Sequence, residues 1–349
     1  MKKNIKLPNL NNIKIFRNAY YWFILPIAII FIALVCGSVY STEGNQYDGF
    51  ANIGIDFKGG TVLTVQMDGA DIQGANRADV LNIINTIVED NGAVISTEQN
   101  SGDNAIVVRY PNSINGQDYN EASKTEEMIA INNKIIGQIE NALRTKYTSA
   151  TSVIVGAEMI NATASTQLIE KALLSVGIAM LLMLIYIAIR FDFFSGIAAL
   201  CASFTDIIVM LALVIIFRIQ INSSLIAGLI TVVAYSINNT IVIFDRVREH
   251  KKESKDGRMN VEVMVDQSVT ECLTRTFLSS FTTLITITIL ACWGIKSLTD
   301  FALPIIFGIL SGLYSSLFLA PSIWGLLMNL KLNKGKKVRK QAYKKNRRR

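Results

Sequence analysis

Two adjacent amides, Asn238 and Asn239, stand inside the apolar run Tyr235-Ser-Ile-Asn-Asn-Thr-Ile-Val-Ile-Phe-Asp-Arg-Val-Arg-Glu249, which ends in alternating charge. In hydrocarbon an unpartnered polar side chain costs on the order of one to several kcal/mol, so such groups face a protein neighbour or a wet path. The pair therefore marks a helix–helix contact or a conduction site. Asp206, in Cys201-Ala-Ser-Phe-Thr-Asp206, is the only acid at mid-membrane depth. A lone carboxylate there must be paired, hydrated or protonated, which leaves open a hydrogen bond to a neighbouring helix or a place in a proton or conformational relay. Arg275 opens a further apolar run whose Thr276, Ser279, Ser280, Thr282 and Thr283 make a hydroxyl-rich face, suited to packing as much as to a relay. Asp245 and Arg246 lie three or four residues from Arg248 and Glu249, where snorkelling and helix ion pairs compete with a functional role.

These residues need a membrane bundle to hold them. The chain has 349 residues, 51% of them apolar, with a mean hydropathy of +0.37, which points to an integral membrane protein with room for one soluble domain. A span needs about 20 mostly apolar residues. Stretches meeting this are 21–40, 172–189, 194–217, 223–244, 277–295 and 303–327. The first has an apolar core longer than a secretory signal and is expected to stay as an uncleaved anchor. Gly308 and Gly312 in the last form a small-xxx-small pair that lets helices approach closely.

Charge gives the orientation. Lys2, Lys3, Lys6, Lys14 and Arg17 precede the first span, and eleven Lys/Arg lie from Lys331 to Arg349, with no acid in either flank. Lys/Arg-rich flanks stay inside, so both ends and the 245–276 loop are expected in the cytoplasm, and 41–169 outside the membrane. That outer piece holds seven Lys/Arg against sixteen Asp/Glu, so the net charge of +7 hides an acidic outer domain. The basic tail fits membrane topology and anionic lipids better than nucleic acid. The expected division is a basic N-terminus 1–20, a first span 21–40, an outer domain 41–169, a five-helix bundle 170–330 with the 245–276 loop, and a basic tail 331–349.

Within the outer domain, Asn52-Ile-Gly-Ile-Asp-Phe-Lys-Gly-Gly60 reads as a polar turn whose glycine pair permits positive φ or close approach. After it, 61–67 alternates as a strand, 78–88 has helical spacing, 93–97 and 105–110 read as strands about a turn at 100–104, 119–146 as a helix and 152–156 as a last strand. The order β-α-β-β-α-β is the split, ferredoxin-like arrangement. No metal-ligand spacing or nucleophile–base pair stands out there, and the four cysteines sit in or beside spans. No cofactor, metal or enzymatic step is expected.

Several motifs add a resemblance. Gly54-Ile-Asp-Phe-Lys-Gly-Gly-Thr61, which holds Gly54, Asp56, Gly59 and Gly60, is similar to the Gly-Ile-Asp-Phe-x-Gly-Gly-Thr signature of the SecF protein-export membrane subunits, in the SecD/SecF family of the resistance-nodulation-division superfamily. Val155-Gly156 resembles that family's Val-Gly-Pro before the second span, 185–191 its Tyr-x-x-x-Arg-Phe, and 235–249 its Tyr-Ser-x-Asn-Asp block. Arg275-Thr276 with Ser280-Phe-Thr-Thr283, and 311–316, match its last two spans.

The resemblance implies a subunit that works with SecD beside a SecYEG-type channel, with a YidC-type insertase as a further neighbour. It would draw unfolded preproteins outward, assisted by the proton-motive force. It also implies a proton path through a fourth-span Asp, a fifth-span Arg and a SecD carboxylate. Arg275 matches the Arg, but Asn239 stands at the Asp position and does not titrate near neutral pH. Thr205 stands where the family has His before Asp206, and Ala157 where it has Pro. The expected relay is therefore Asp206 and Arg275 with a SecD carboxylate, with Asn239 as a hydrogen-bonding spacer. Half of a lipid or small-molecule exporter, and a proton-uncoupled scaffold of the Sec machinery, remain the alternatives.

Overall fold

The computed structural model describes residues 14–42, 49–68, 75–100, 105–148, 150–160, 162–253, 260–293 and 296–332. In chain order the elements are α1 (Ile24–Thr42), the one-turn α2 (Ile55–Lys58), β1 (Gly60–Asp68), α3 (Ala75–Asp90), β2 (Thr97–Asn100), β3 (Ala105–Tyr110), the short strands β4 (Ser113–Ile114) and β5 (Gln117–Asp118), α4 (Thr125–Lys146), β6 (Ser152–Ile160), α5 (Ala162–Arg190), α6 (Phe193–Ile216), α7 (Ser223–Glu253), α8 (Val261–Ala291) and α9 (Lys296–Tyr314). A π turn, Ser315–Leu319, and a final helical stretch to residue 332 continue α9. Among the described residues, six helices are long and apolar enough to cross a membrane, and each overlaps one expected span, the fifth ending at Ala291, short of the expected 295.

The stretch 245–276 is not a loop. α7 runs on to Glu253 and α8 begins at Val261, so most of that stretch is helix. Its polar turns sustain themselves: Arg246 pairs with Glu249, His250 lies 3.7 Å from Glu253, and the Asn260 side chain caps α8 by accepting from the Glu262 N–H. Hydrophobicity marks where a helix leaves the membrane, not where it stops. The basic segments 1–13 and 333–349 lie outside the described residues.

β1, β2, β3 and β6 form one antiparallel sheet in the order β2-β3-β1-β6, with the β-α-β-β-α-β sequence of elements that the pattern predicts. α3 and α4 cover it through Leu63, Val65, Ile84, Val108, Ile135 and Ile139, all buried. The second strand falls at Thr97–Asn100 and not at 93–97. Gly92, at φ +82°, ends the helix, and the Ala93 N–H turns back to the Val88 carbonyl, so 93–96 are spent reaching the sheet edge. The turn at 100–104 falls largely outside the described residues. The last strand extends four residues beyond its expected end, so Val155, Gly156 and Ala157 pair with Val65, Thr64 and Leu63 inside the sheet and do not lead into the second span. β6 is an edge strand, where a proline is also tolerated. The absence of proline at Ala157 thus leaves the bundle untouched.

In the bundle, α6 and the last span are half buried by their neighbours, at 50% and 56%, whereas α5 and α8 are only 6% and 11% buried. α6, α7 and α9 are therefore the interior. Their close approach needs the glycine pair: a Cβ on Gly308 would lie 2.1 Å from Val232 Cγ2, and one on Gly312 3.2 Å from Ser236 Cβ. Pro321 has no N–H for the Leu317 carbonyl, and just before it the Ala320 N–H reaches back five residues to Ser315, which makes the wide turn.

Candidate functional site

Asp206 sits in the middle of α6, fully buried. Its Oδ2 accepts from Ser236 Oγ at 2.5 Å and Ser315 Oγ at 2.7 Å, and its Oδ1 accepts from Ser311 Oγ at 2.7 Å. One carboxylate thus ties α6 to α7 and to both turns of the α9 end, the second of them placed by the π turn. No cation pairs with it among the described residues. Three hydroxyl donors give an ionised carboxylate charge-assisted bonds, and because a serine oxygen also accepts, the same cage can hold the protonated acid.

Asn239, one turn from Ser236 on α7, is 2% exposed and donates from Nδ2 to Ser280 Oγ at 3.2 Å, joining α7 to α8. The neighbouring Asn238 is exposed and takes no part. Of the hydroxyl-rich face on α8, Thr282 and Thr283 bond the Ser279 carbonyl of their own helix, and Ser280 reaches across. Arg275 is exposed, on the same face of α8 as Leu278 one turn on, and makes no ion pair among the described residues. Asp206 and Arg275 are therefore not brought together within this chain. At the far end of α7, Asp245 lies 3.8 Å from Arg190, and Arg246 pairs with Glu249 and Glu271, so both act as surface ion pairs between helices. Thr205 bonds the Cys201 carbonyl of its own helix.

The Gly-Gly stretch builds a second structure, a latch between sheet and bundle. The Gly54 N–H donates to the Ile221 carbonyl and the Ile221 N–H to the Asn52 carbonyl, both at 2.8 Å, forming a parallel bridge to the α6–α7 turn. Asn52 Nδ2 donates to the Arg218 carbonyl, and Arg218 Nη1 to the Gly49 carbonyl. Asp56 Oδ2 accepts from the Ser223 N–H at 2.9 Å and its hydroxyl at 2.6 Å, capping α7 from another part of the chain. Gly59 has φ +79°, and a Cβ there would lie 2.2 Å from Asn120 Oδ1; on Gly60 it would lie 2.7 Å from Ile55 Cβ.

Behind the glycines runs a polar chain. Asn120 donates to the Lys58 carbonyl, Asn112 to Asn120 and to the Ile160 carbonyl, Thr61 to Asn112, Asn132 to Thr61, and Tyr110 to Asn132. Burial pushes the Tyr110 phenol well above its ordinary range, which keeps it a donor. The latch is thereby bonded to α4 and β6 as well as to the bundle. Ser223 and Ser236 are 13 residues apart on α7, roughly 20 Å along a helix, so one rod joins latch and cage.

Sequence reasoning missed Ser236, Ser311 and Ser315 as the partners of Asp206. The signal was present in two serines four apart beside the glycine pair on an apolar helix. It also missed Asn112, Asn120 and Asn132, which are ordinary asparagines until the fold brings them together.

Two family profiles match. One, described as protein export membrane protein SecD/SecF, C-terminal, covers residues 138–330, and the other, the SecD/SecF GG motif, covers 52–71. The chain is 30% identical over 288 residues to a protein translocase subunit SecF of Helicobacter pylori, across 82% of this chain and 81% of that one. It is 33% identical over 284 residues to the SecF subunit of Thermodesulfovibrio yellowstonii, across 80% and 84%. Among solved structures, SecDF from Thermus thermophilus, a translocon-associated membrane protein, aligns at 25% identity with a TM-score of 0.64. That alignment covers 91% of this chain and 39% of the SecDF chain. With its bundle and its glycine turn both matched, and with SecF subunits aligned along four fifths of its length, this multi-pass membrane chain belongs to the SecD/SecF family of protein-export membrane proteins.

Proposed function

We propose that this chain is the SecF-type subunit of an accessory complex of the Sec protein translocase. With a SecD-type partner, beside a SecYEG-type channel and a YidC-type insertase, it promotes the late stage of preprotein export across the bacterial cytoplasmic membrane, assisted by the proton-motive force. Its basic ends lie in the cytoplasm and its sheet domain on the outer side. No covalent step belongs to it.

One observation carries the reading: a buried carboxylate caged between three spans, on a helix pair whose outer end is capped by the sheet domain's own Asp56. A change in the cage is thereby geared to the position of the outer domain. One charge crossing 100 mV releases about 2.3 kcal/mol, enough over several steps to bias two poses. Because Asn239 does not titrate, the partner supplies the carrier carboxylate, which Arg275 meets from the open side of α8, and Asp206 serves as the responding pivot.

The test is proton-driven export in vesicles holding this chain with its SecD-type partner. Asp206→Asn should lower both the export stimulated by the proton-motive force and the proton current; unchanged values for both would sink the pivot role. The Asn239–Ser280 bond favours a second reading, a proton-uncoupled scaffold. Under that reading the unmodified pair shows no proton-stimulated export, and Asn239→Asp does not create any.

A further inference from the structure

A cavity of about 370 Å³ opens where α5 meets α6, at the end of the bundle opposite the sheet domain. Its polar wall comes from the last turns of α7, with Arg248, Lys251 and Lys252, facing one carboxylate, Asp192. Its apolar wall is Phe191, Phe244, Val247 and Trp324. Asp192 is the N-cap residue of the 24-residue α6 but makes no cap bond, because its carboxylate accepts from Lys251 Nζ instead. The first N–H groups of α6 are thus left without a side-chain acceptor among the described residues, and Ser195 from this turn lines the cavity. An uncapped helix N-terminus attracts anions.

Three further facts point to a ligand. Trp324, which lines the cavity and is 1% exposed, has an indole N–H with no acceptor among the described residues. Lys252 makes no hydrogen bond or ion pair among the described residues. Phe193, beside the cavity on α6, is 63% exposed, so the opening lies next to an exposed apolar surface. Arg248 is held over the Phe191 ring at 6.0 Å and donates to the Arg190 carbonyl, so its charge is positioned without being neutralised.

We propose that this cavity is a binding site for one anionic glycerophospholipid. The phosphate diester sits among Arg248, Lys252 and the first turn of α6, and the glycerol backbone lies against Phe244, Val247 and Trp324. A basic pocket between helix ends with a greasy wall suits a lipid headgroup better than a freely soluble phosphate. The lipid would bridge α6 to α7 on the side away from the latch. Only the leaflet, the cytoplasmic one, rests on the orientation proposed above.

The experiment is native mass spectrometry of the detergent-purified complex of this chain with its SecD-type partner, after exchange with phosphatidylglycerol or phosphatidylcholine. The wild type should retain one phosphatidylglycerol in preference to phosphatidylcholine. Arg248→Gln with Lys252→Gln should weaken that retention by roughly tenfold or more. Lys336→Gln with Lys337→Gln, in the basic tail, should leave it unchanged. Equal retention of both lipids, wild-type retention by the pocket variant, or loss only in the tail variant would each overturn the site. Displacement by inorganic phosphate as readily as by phosphatidylglycerol would overturn the lipid assignment. Retention in detergent does not depend on which side the cavity faces, so its failure leaves the topology standing. Labelling Lys252→Cys from one side of intact cells tests that topology separately.

Discussion

At Asp206 the acceptor and its donors are unequal partners. Ser311→Ala removes one charge-assisted bond, worth about 1.5–3 kcal/mol, and leaves the other two in place. Asp206→Leu removes the acceptor of three hydroxyls at once, two of them fully buried. The thermal midpoint of the purified protein should therefore fall further for Asp206→Leu than for Ser311→Ala, and an unchanged midpoint for the serine variant would show that its hydroxyl is not bound. Asp56→Ala removes the cap of α7, costing about 1 kcal/mol, and amide exchange in the first turn after Ser223 should rise about fivefold. That Asp206 needed partners was legible from its depth alone. Which residues supplied them was not, since serines in apolar helices often bond their own backbone, as Ser38 does here. The capping role of Asp56 was hidden for a different reason: its partner lies 167 residues away.

Helices and strands were legible wherever one periodicity ran unbroken, which covers the six spans, β1, β3 and the two sheet-domain helices. The Ser113–Ile114 and Gln117–Asp118 hairpin passed unread, although its Asn115-Gly116 turn, with φ of 50° and 77°, carries a strong local hairpin signal. The glycine pair in the last span was legible, and what it approaches is Val232. Gly308→Leu should force α9 off α7 and destabilise the bundle by about 1–3 kcal/mol, with partial rescue by Val232→Ala; no rescue would place the strain elsewhere. In the sheet domain, Asp79 of α3 accepts from Lys146 Nζ and the Tyr147 hydroxyl, both at 2.6 Å. The Lys146 and Tyr147 hydrogen bonds hold the Asp79 carboxyl below its ordinary value, so its contribution is complete above about pH 4 and is lost as pH falls through the lowered value. Burial, then Asp79, pushes Tyr147 up to about 12, so its contribution is complete below about pH 10 and is lost as pH rises through about 12. The opening free energy of the α3–α4 contact, read from amide exchange once its intrinsic pH dependence is divided out, should stay flat between those limits, and Tyr147→Phe should remove the tyrosine's share of the alkaline loss.

The whole molecule divides its polar residues between a closed interior and an open side, a division no single stretch of sequence reveals. Asp206 and Asn239 face inward and are bonded; Arg275 is exposed, with Leu278 on the same face, on a helix that its own chain barely covers. The family resemblance put Asp206 and Arg275 in one relay through a SecD carboxylate; within this chain one is caged in the interior and the other is exposed. The two now predict different phenotypes. Asp206 variants should lose stability and export together, since the cage holds three helices. Arg275→Gln breaks no bond among the described residues, so the thermal midpoint of the isolated chain should move by less than about 0.5 kcal/mol equivalent, while proton-stimulated export by the complex falls. A photo-crosslinking residue at Leu278, exposed on the same face as Arg275, should capture the SecD-type partner, whereas one at Val269, fully buried on the same helix, should not. Capture at neither position, together with wild-type export by Arg275→Gln, would mean that the open side of α8 faces lipid alone and that the proton path runs elsewhere in the complex.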